Sequence, residues 1–440
     1  MLFFARARIV LFALLTSAVA LSPASAWAQP PASAPAAAPA RGAELEYVVI
    51  VSRHGVRPPI SQPGAIDKYA AAPWPVWETK PGYLTPHGAG LIRMLAEWQR
   101  GRLAGKGLLA PSGCADAGRV TILADSDERT RETGVAFAAG AFPGCSIPVE
   151  AKPEGTPDPL FQSPRATAAD TARASAAIAG RIGGNAQNPT GAFLPSLEAL
   201  DAVLAGCGKV KTPNPDRVSL LTMPSGLGTG SPYAGRLHGP VSVAGTLAEN
   251  LLLEYTEGMT DPGWGCLDAA TLRAIMPVNE ENWNLNFRTS AIARVNASNL
   301  LDHILKSMEQ RISGKPVQGA LGRPTDRLLV LEGHDGNIVS IAGALGLDWI
   351  TDGRVNDTPP GGALFVELWR SRSDGSRFVQ MEYIAQTLEQ MRQAQPLSAA
   401  NPPTIAPLFV PACSGEDMSC GWQGFRAAVG AAIDAPYVTP

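Results

Sequence analysis

The stretch LEYVVIVSRHGVRPP, residues 45–59, decides the fold prediction. Its first eight residues are mainly β-branched, aromatic or aliphatic, and apolar side chains fall on both faces of an extended chain. This pattern is typical of a central parallel strand that helices cover on both sides. Arg53, His54 and Arg57 follow directly, so the strand carries polar side chains into a turn.

Two later stretches repeat this order of buried strand, charged turn and helix. RVTILAD (residues 119–125) precedes SDERTRETGVAFAAGAF (126–142), and RLLVLEG (327–333) precedes His334, Asp335 and an apolar helical stretch. In an open α/β sheet the carboxyl ends of the strands line the ligand crevice. We therefore expect the three turns to meet at one site.

The remaining pattern predicts an α/β fold with a helical insertion. ALFVELWRS (residues 363–371) and RFVQMEYIAQT (377–387) flank the turn Ser373-Asp374-Gly375 and indicate an antiparallel hairpin at the sheet edge. Between residues 167 and 310, four stretches have apolar residues at helical spacing. The predicted fold class is α/β, with a mostly parallel sheet flanked by helices and an inserted, mainly helical cap domain.

The N-terminus has the pattern of a secretory signal peptide. Arg6 and Arg8 precede an apolar run (residues 9–21), and small residues up to Ala26 and Ala28 form A-x-A cleavage sites. A membrane anchor is the alternative, but the run has 13 residues, whereas a spanning helix needs about 20. We therefore expect export and a periplasmic or secreted protein. The predicted segments are a signal peptide (1–28), a Pro/Ala-rich linker (29–43), an α/β domain (44–160 and 318–440) and a helical cap domain (161–317).

Composition excludes two broad classes of protein. The 440 residues include 36 Lys and Arg and 39 Asp and Glu, for a net charge of −3, and 45% are hydrophobic. Neither a basic nucleic-acid-binding protein nor an acidic disordered chain has this balance. We expect no nucleic-acid partner, and no membrane partner once the signal peptide is removed.

Cysteine and histidine spacings favour disulfides over metal binding. An even number of cysteines in an exported chain indicates disulfides, whose connectivity the count alone leaves open. No C-x-x-C pair occurs, and the five histidines lack the spacing of a zinc site. The six cysteines are Cys114, Cys145, Cys207, Cys266, Cys413 and Cys420.

The motif RHGVRPP, residues 53–59, has the chemistry of a phosphate site with a nucleophile. The forked guanidinium groups of Arg53 and Arg57 match phosphate oxygens bidentately. A neutral His54 imidazole can act as nucleophile if its other ring nitrogen is held as a donor, for example to a backbone carbonyl. The alternative is a solvated surface turn, but the buried strand before the motif and Gly55, which permits close backbone approach, favour a site.

Six further motifs accompany RHGVRPP. They are LTPHG (84–88), DERTR (127–131), DPLF (158–161), EGM..PGWG (257–265), GHD (333–335) and NDTPPGG (356–362). Together these motifs resemble the histidine acid phosphatases (branch 2), and within them the bacterial periplasmic phytases and glucose-1-phosphatases. The resemblance covers residues 46–425 and implies a phosphoglycerate-mutase-like fold.

The resemblance implies an acid phosphatase that hydrolyses phosphomonoesters, phytate (myo-inositol hexakisphosphate) and/or sugar phosphates, through a phosphohistidine intermediate. His54 would be the nucleophile. Asp335 would protonate the leaving oxygen, for which burial has to raise its pKa. Arginines would replace the magnesium of other phosphoryl-transfer sites, so neither a metal nor another cofactor is expected. The implied phosphate-binding residues are Arg53, Arg57, Arg129, His334 and Asp125.

Some of these roles have a structural alternative. Arg129 and Arg131 are two residues apart on a predicted helix and cannot share one face. The family pattern assigns Arg129 to the phosphate and leaves Arg131 as a structural ion-pair partner. Asp125 has the alternative role of a helix N-cap. The histidines expected to be structural are His87, His238 and His303.

Four positions depart from the phytase pattern. Phytases carry substrate-contacting polar or basic residues where this chain has Ile60, Ser61 and Asn296, and Gly336 replaces the usual Thr after the GHD motif. A glucose-1-phosphatase-like sugar phosphatase with little phytase activity is therefore the alternative function.

Two more distant functions are a phosphomutase and a non-catalytic phosphate-ester binding protein. The export signal and the GHD motif argue against a phosphomutase, and the presence of both His54 and Asp335 argues against a protein that only binds. The resemblance also implies the disulfides Cys114–Cys145 and Cys413–Cys420, which leaves Cys207 and Cys266 as the third pair.

Overall fold

Strand β1 (Ala43–Arg53) runs through the middle of a sheet that has eight strands within the described residues. The structure is a computed structural model and describes residues 42–60, 64–162, 166–228 and 236–439. The predicted signal peptide and most of the predicted linker lie outside the described residues, as does Ser61.

The strands and helices of the described residues follow the predicted α/β pattern. The strands are β1 (Ala43–Arg53), β2 (Val120–Ala124), β3 (Val149–Ala151), β4 (Gly226–Gly228), β5 (Arg236–His238), β6 (Leu328–Gly333), β7 (Ile350–Thr351), β8 (Arg354–Val355), β9 (Ala363–Ser371), β10 (Arg377–Ala385), β11 (Thr404–Leu408) and β12 (Ser419–Gly421). The helices are α1 (Pro86–Gly105), α2 (Glu128–Ala141), α3 (Ala168–Arg181), α4 (Asn188–Ala192), α5 (Leu194–Leu204), α6 (Pro240–Thr256), α7 (Ala269–Asn286), α8 (Ser290–Ser313), α9 (Asp335–Leu345), α10 (Leu388–Arg392) and α11 (Trp422–Ala432).

The sheet has a parallel half and an antiparallel half that share β1. The strand order is β11-β10-β9-β1-β6-β2-β3, with β12 also pairing with β10. Strands β1, β6, β2 and β3 are parallel, and β9, β10 and β11 extend the sheet by antiparallel pairs. The three strands that precede the charged turns are therefore neighbours, as the sequence predicts.

Side chains of β1 alternate between two hydrophobic cores, one on each face of the sheet. Val49 and Val51 pack into a core with α8, α9 and α11, while Val48 and Ile50 pack into a core with α1 and α2. Leu45 joins the same core as Val48, because the register with β9 shifts by one residue just after Leu45. This two-sided burial confirms that β1 is a central strand.

The predicted hairpin forms, but its predicted position at the sheet edge is wrong. β9 pairs with β1 over nine residue pairs, and β10 pairs with β9 on one side and with β11 and β12 on the other. The short strands β11 and β12 were not predicted, and β11 contains Pro407. They cover the outer side of β10 and move the sheet edge away from the hairpin.

The segment between β3 and β6 is mainly helical in its described residues. Helices α3 and α5 to α7 share a third hydrophobic core, and α6 is buried on nearly every side. Helix α7 was not predicted, and Pro277 inside it is a residue that normally interrupts a helix. Helix α8 packs against α9 and the sheet instead, so the cap-domain boundaries stay a prediction.

Three disulfides join loops around these elements. They are Cys114–Cys145 and Cys413–Cys420, which the resemblance implies, and Cys207–Cys266, the pair left by elimination. The first ties the segment before β2 to the end of α2. Its ends are 31 residues apart, and a closed loop of that size stabilises the folded state by roughly 3–4 kcal/mol in the chain-entropy description. Among the described helices, none combines the length and the apolarity needed to cross a membrane.

Buried Glu332 on β6 generates a testable pH dependence of stability. Burial raises its pKa to about 8, from 4.5. Below pH 4.5 Glu332 is protonated in both the folded and the unfolded chain. Between pH 4.5 and pH 8 it ionises in the unfolded chain while it stays protonated in the folded one, so the free energy of unfolding falls as pH rises. Glu332→Gln removes this loss. The melting temperature of Glu332→Gln minus that of wild type is expected to increase by about 2–5 °C from pH 4.5 to pH 8, measured by calorimetry.

The exposed Glu198 on α5 provides the matched control. Glu198→Gln is expected to follow the wild-type melting temperature at both pH values. An offset between Glu332→Gln and wild type that stays the same at pH 4.5 and pH 8 would contradict the assigned role of burial.

Candidate active site

The ends of three parallel strands bring the predicted turns together. Arg53 at the end of β1 is in register with Gly333 at the end of β6, and Ala124 at the end of β2 is in register with Glu332. The backbone N–H of His54 continues this pairing and donates to the Gly333 carbonyl at 3.0 Å. The predicted convergence of the turns is therefore present in the structure.

The His54 imidazole is buried in the tautomer that a nucleophile requires. Its Nδ1 lies 2.8 Å from the Gly55 carbonyl oxygen. Because a carbonyl can only accept, Nδ1 carries the proton and Nε2 keeps its lone pair. Burial lowers the pKa of His54 well below its usual value, and the charges of Arg129, Arg57 and Arg53 lower it further. The ring therefore stays neutral in mild acid.

Three guanidinium groups close to His54 have unused donors. Arg53 and Arg57 are 1% and 7% exposed, and the Arg129 side chain is 15% exposed. The Nε atoms of all three are buried and have no hydrogen-bond partner among the described residues. A buried donor without a partner is costly, and charged donors favour anionic acceptors. This cluster therefore has the properties of an oxyanion site.

Acidic groups and a carbonyl hold Arg53 in place. Its Nη1 donates to the Thr358 carbonyl at 2.5 Å, and its Nη2 pairs with Glu249 of α6 and lies 3.3 Å from Asp335 Oδ2. Thr358 belongs to the NDTPPGG motif, which gives that motif a structural role. Glu249 was not predicted as a site residue, and no motif marks it in the sequence.

His334 and Asp125 form a second polar pair at the site. His334 Nε2 is 2.8 Å from Asp125 Oδ2. Asp125 is fully buried; burial raises its pKa, but the hydrogen bond and charge of His334 outweigh this, so the pKa is lowered and the carboxylate is ionised. Asp125 is not the N-cap of α2, because that position belongs to Asp127. Phosphate binding by Asp125 stays a prediction, and the contact present orients His334.

Asp335 begins α9 and lies at the site, but its pKa departs from the expectation. Burial raises the pKa, as expected, yet the charges of Arg53, His334 and Arg57 outweigh burial and the net shift is downward. The Asp335 carboxyl is therefore ionised in the free protein. Its Oδ1 accepts from the backbone N–H of Gly336 at 2.8 Å.

The LTPHG motif supports the RHGVRPP turn through close backbone contact. Thr85 caps α1 by accepting from Gly88 N–H at 2.9 Å, and its own N–H donates to the Val56 carbonyl at 3.0 Å. A Cβ at Gly88 would come within 2.5 Å of the Val56 carbonyl oxygen, so this position requires glycine. Thr85 Oγ1 also donates to Glu257 of the EGM..PGWG motif at 2.7 Å.

The other singled-out residues lie away from the site. His87 Nε2 lies at 3.0 Å and 2.9 Å from the Thr256 and Met391 carbonyls, and His303 Nδ1 lies 2.5 Å from the Gly319 carbonyl. These contacts fit the structural roles predicted for them. The residues of this group that do not line the site are His87, His238, His303 and Arg131.

The site opens into a cavity of about 490 Å³. Its lining has a part without charged side chains and a titratable part formed by His54, Arg57, Asp125, Asp127, Arg129, His334 and Asp335. Asp127 accepts from Arg129 Nη2 at 2.6 Å and was not predicted. Three of the four departures from the phytase pattern, Ile60, Asn296 and Gly336, line the cavity. The remaining lining residues are Phe161, Gln162, Trp283, Phe287 and Asn337.

Three potential metal ligands also meet here. One ligand atom each of Asp125, Asp127 and His334 lies within 4.8 Å of the others. Asp127 is paired with Arg129, and Asp125 with His334, so the carboxylates already have partners. The expectation of a site without metal stays a prediction.

Several known proteins are similar to this chain in sequence and in fold. Phytase AppA of Escherichia coli (strain K12) is 38% identical over 432 residues, which cover 96% of this chain and 97% of that protein. Glucose-1-phosphatase of Providencia rettgeri is 26% identical over 400 residues, or 89% and 92% of the two chains. The structure of Hafnia alvei phytase in complex with tartrate superposes with a TM-score of 0.81 at 31% identity, covering 92% of this chain and all of the other.

The sequence profile of the histidine phosphatase superfamily (branch 2) matches residues 44–176 and 262–383. These two ranges contain His54, Arg129 and Asp335, and they make up more than half of the chain. The chain belongs to the histidine phosphatase superfamily, branch 2.

Proposed function

We propose that this protein is an acid phosphatase that hydrolyses phosphomonoesters, with a sugar phosphate or phytate as substrate, through a phosphohistidine on His54. One observation carries the proposal: a buried, neutral imidazole with a free Nε2 lies beside three arginines whose Nε donors have no partner. Phytase AppA and the glucose-1-phosphatases, whose names state phosphate-ester substrates, support the same reaction class.

The first step transfers the phosphoryl group to His54. Nε2 forms a bond to phosphorus while the bond from phosphorus to the alcohol oxygen breaks. Arg53, Arg57 and Arg129 hold the phosphoryl oxygens, and fixed positive charge stabilises the charge that builds up on them. The N-termini of α2 and α9 face the same site and add positive potential.

The proton balance follows from the ionised Asp335. A phosphomonoester is a monoanion below its second pKa of about 6, so the bound substrate brings one proton with it. Asp335 passes that proton to the leaving oxygen, and the alcohol departs neutral. In the second step the water oxygen forms a bond to phosphorus and gives a proton to Asp335, while the bond from nitrogen to phosphorus breaks. Asp335 then passes this proton to the departing inorganic phosphate and is ionised again.

A periplasmic or secreted location is part of this proposal. Three disulfides form in the structure, and such bonds persist in oxidising compartments. The predicted signal peptide supports the same location, although it lies outside the described residues.

The nucleophile test is His54→Ala. Turnover of p-nitrophenyl phosphate is expected to fall to background, because no group remains to accept the phosphoryl group. When wild type reacts with substrate radiolabelled in its phosphoryl group and the reaction is stopped in alkaline denaturant, the label should remain on the peptide that contains His54. His238→Ala, at an exposed histidine of β5, is the control and is expected to keep wild-type turnover. Label on another residue would overturn the mechanism, and binding without turnover by wild type would make the protein a phosphate-ester binder.

The proton-donor test is Asp335→Asn. For glucose 1-phosphate, whose leaving oxygen needs a proton, kcat/KM is expected to fall by about 10²- to 10⁴-fold. For p-nitrophenyl phosphate the fall should be much smaller, because nitrophenolate leaves without a proton. The comparison uses kcat/KM because this ratio reports the steps up to alcohol release. Equal losses on both substrates would exclude Asp335 as the donor.

The phosphate-ligand test compares two arginines of one helix. Arg129→Ala is expected to lower kcat/KM for p-nitrophenyl phosphate by about 10²- to 10³-fold, the usual loss when one preorganised donor is removed. It should also weaken competitive inhibition by inorganic phosphate. Arg131→Ala is expected to stay within about twofold of wild type, because Arg131 does not line the cavity. A larger loss with Arg131→Ala than with Arg129→Ala would reverse the assignment.

A further inference from the structure

We propose that Trp283 and Phe287 form a platform that stacks on the ring of the substrate alcohol, and that this pair makes the enzyme select cyclic monophosphates over acyclic or polyphosphorylated ones. The inference rests on the proposed phosphatase function and names the part of the site that determines its specificity.

The first observation is the position of the two aromatic rings. Trp283 lies in the last turn of α7, and Phe287 is the residue that follows the helix. Their ring centroids are 4.5 Å apart with an interplanar angle of 51°. Both are half-buried and line the cavity, while Leu285 between them is 2% exposed and packs into the helical core. The end of α7 and the residue after it therefore direct Leu285 to the core and the two aromatic side chains to the cavity.

The second observation is the distribution of charge. Among the described residues, the basic side chains that line the cavity are Arg57 and Arg129 together with His54 and His334. All four lie at the phosphate site, where one phosphoryl group would occupy the free donors of the two arginines. The other charged lining residues, Asp125, Asp127 and Asp335, lie at the same site, so the described lining offers no further cation to a second phosphate.

The third observation is an unused neutral donor. Asn296 Nδ2 is buried and has no hydrogen-bond partner among the described residues, and Asn296 lines the same cavity. A substrate hydroxyl or ring oxygen can accept from this amide, whereas a second phosphate would gain no charge from it. Aromatic rings beside a neutral amide match a hydroxylated ring with an apolar C–H face.

The cavity size agrees with this assignment. A volume of about 490 Å³ lies in the range of roughly 300–1,000 Å³ that holds one small organic ligand. One ring and one phosphate therefore fit, with the ring between the phosphate site and the aromatic pair.

The experiment measures selectivity as a ratio of kcat/KM values for three substrates: glucose 1-phosphate, glycerol 3-phosphate and phytate. For wild type, glucose 1-phosphate is expected to exceed glycerol 3-phosphate about tenfold or more, and also to exceed phytate. Trp283→Ala should lower the ratio of glucose 1-phosphate to glycerol 3-phosphate about tenfold, equivalent to about 1.4 kcal/mol, mainly through KM. Trp283→Phe should restore most of the ratio, and Phe287→Ala should lower it in the same direction.

Trp422→Ala is the matched control, since Trp422 is a half-buried tryptophan at the start of α11 and away from the cavity. It should leave the ratio at its wild-type value. An unchanged ratio in Trp283→Ala, or a wild-type preference for phytate, would overturn the platform while leaving the phosphatase function intact. A wild-type protein that hydrolyses none of the three substrates nor p-nitrophenyl phosphate would instead overturn the proposed function itself.

Discussion

The burial of the Arg53 guanidinium at the end of a central strand is the constraint on which the site depends. An isolated charge in that position would be prohibitively costly, so the fold has to supply partners. It supplies the Thr358 carbonyl from one loop, Glu249 from α6 and Asp335 from the start of α9. These partners come from widely separated parts of the chain. The helical segment and the sheet are thus both needed to position a single side chain.

Burial and positive charge together determine the protonation states around Arg53. Burial lowers the pKa of His54, and the arginines lower it further. For Asp335 burial raises the pKa, but the charges of Arg53, His334 and Arg57 outweigh burial. A neutral His54 imidazole is therefore obtained together with an ionised Asp335 carboxylate, which has no proton of its own to donate in the free protein. In the proposed mechanism the substrate monoanion supplies that proton, so the site would favour acid conditions through the ionisation of the substrate.

The cavity separates two kinds of recognition. Cationic side chains and helix N-termini gather at one end, where RHGVRPP, DERTR and GHD lie. Trp283, Phe287 and Asn296 line another part, at the end of α7, just after it and on α8, and none of the three belongs to a quoted family motif. The proposed chemistry and the proposed selectivity thus lie on different elements, and of the departures from the phytase pattern that line the cavity Asn296 belongs to the second part.

The sequence by itself determined three strands of the parallel half of the sheet, β1, β2 and β6, and the residues at their ends, but not β3. An apolar strand followed at once by charged residues is a local pattern, and β1, β2 and β6 each carry it, so the turns that hold Arg53, His54, His334 and Asp335 could be predicted to meet. The choice of Arg129 over Arg131 came from the family resemblance. Only the tertiary structure decided the partners and the second wall. Glu249 has no local pattern, and Asp127 lies in the DERTR motif without any sign there that it pairs with Arg129. Pro277 obscured α7, and β11 and β12 are too short to show the alternation that would have revealed them at the sheet edge. The physical reason is that ion pairs and cavity walls depend on distances between residues far apart in the chain, which no local pattern encodes.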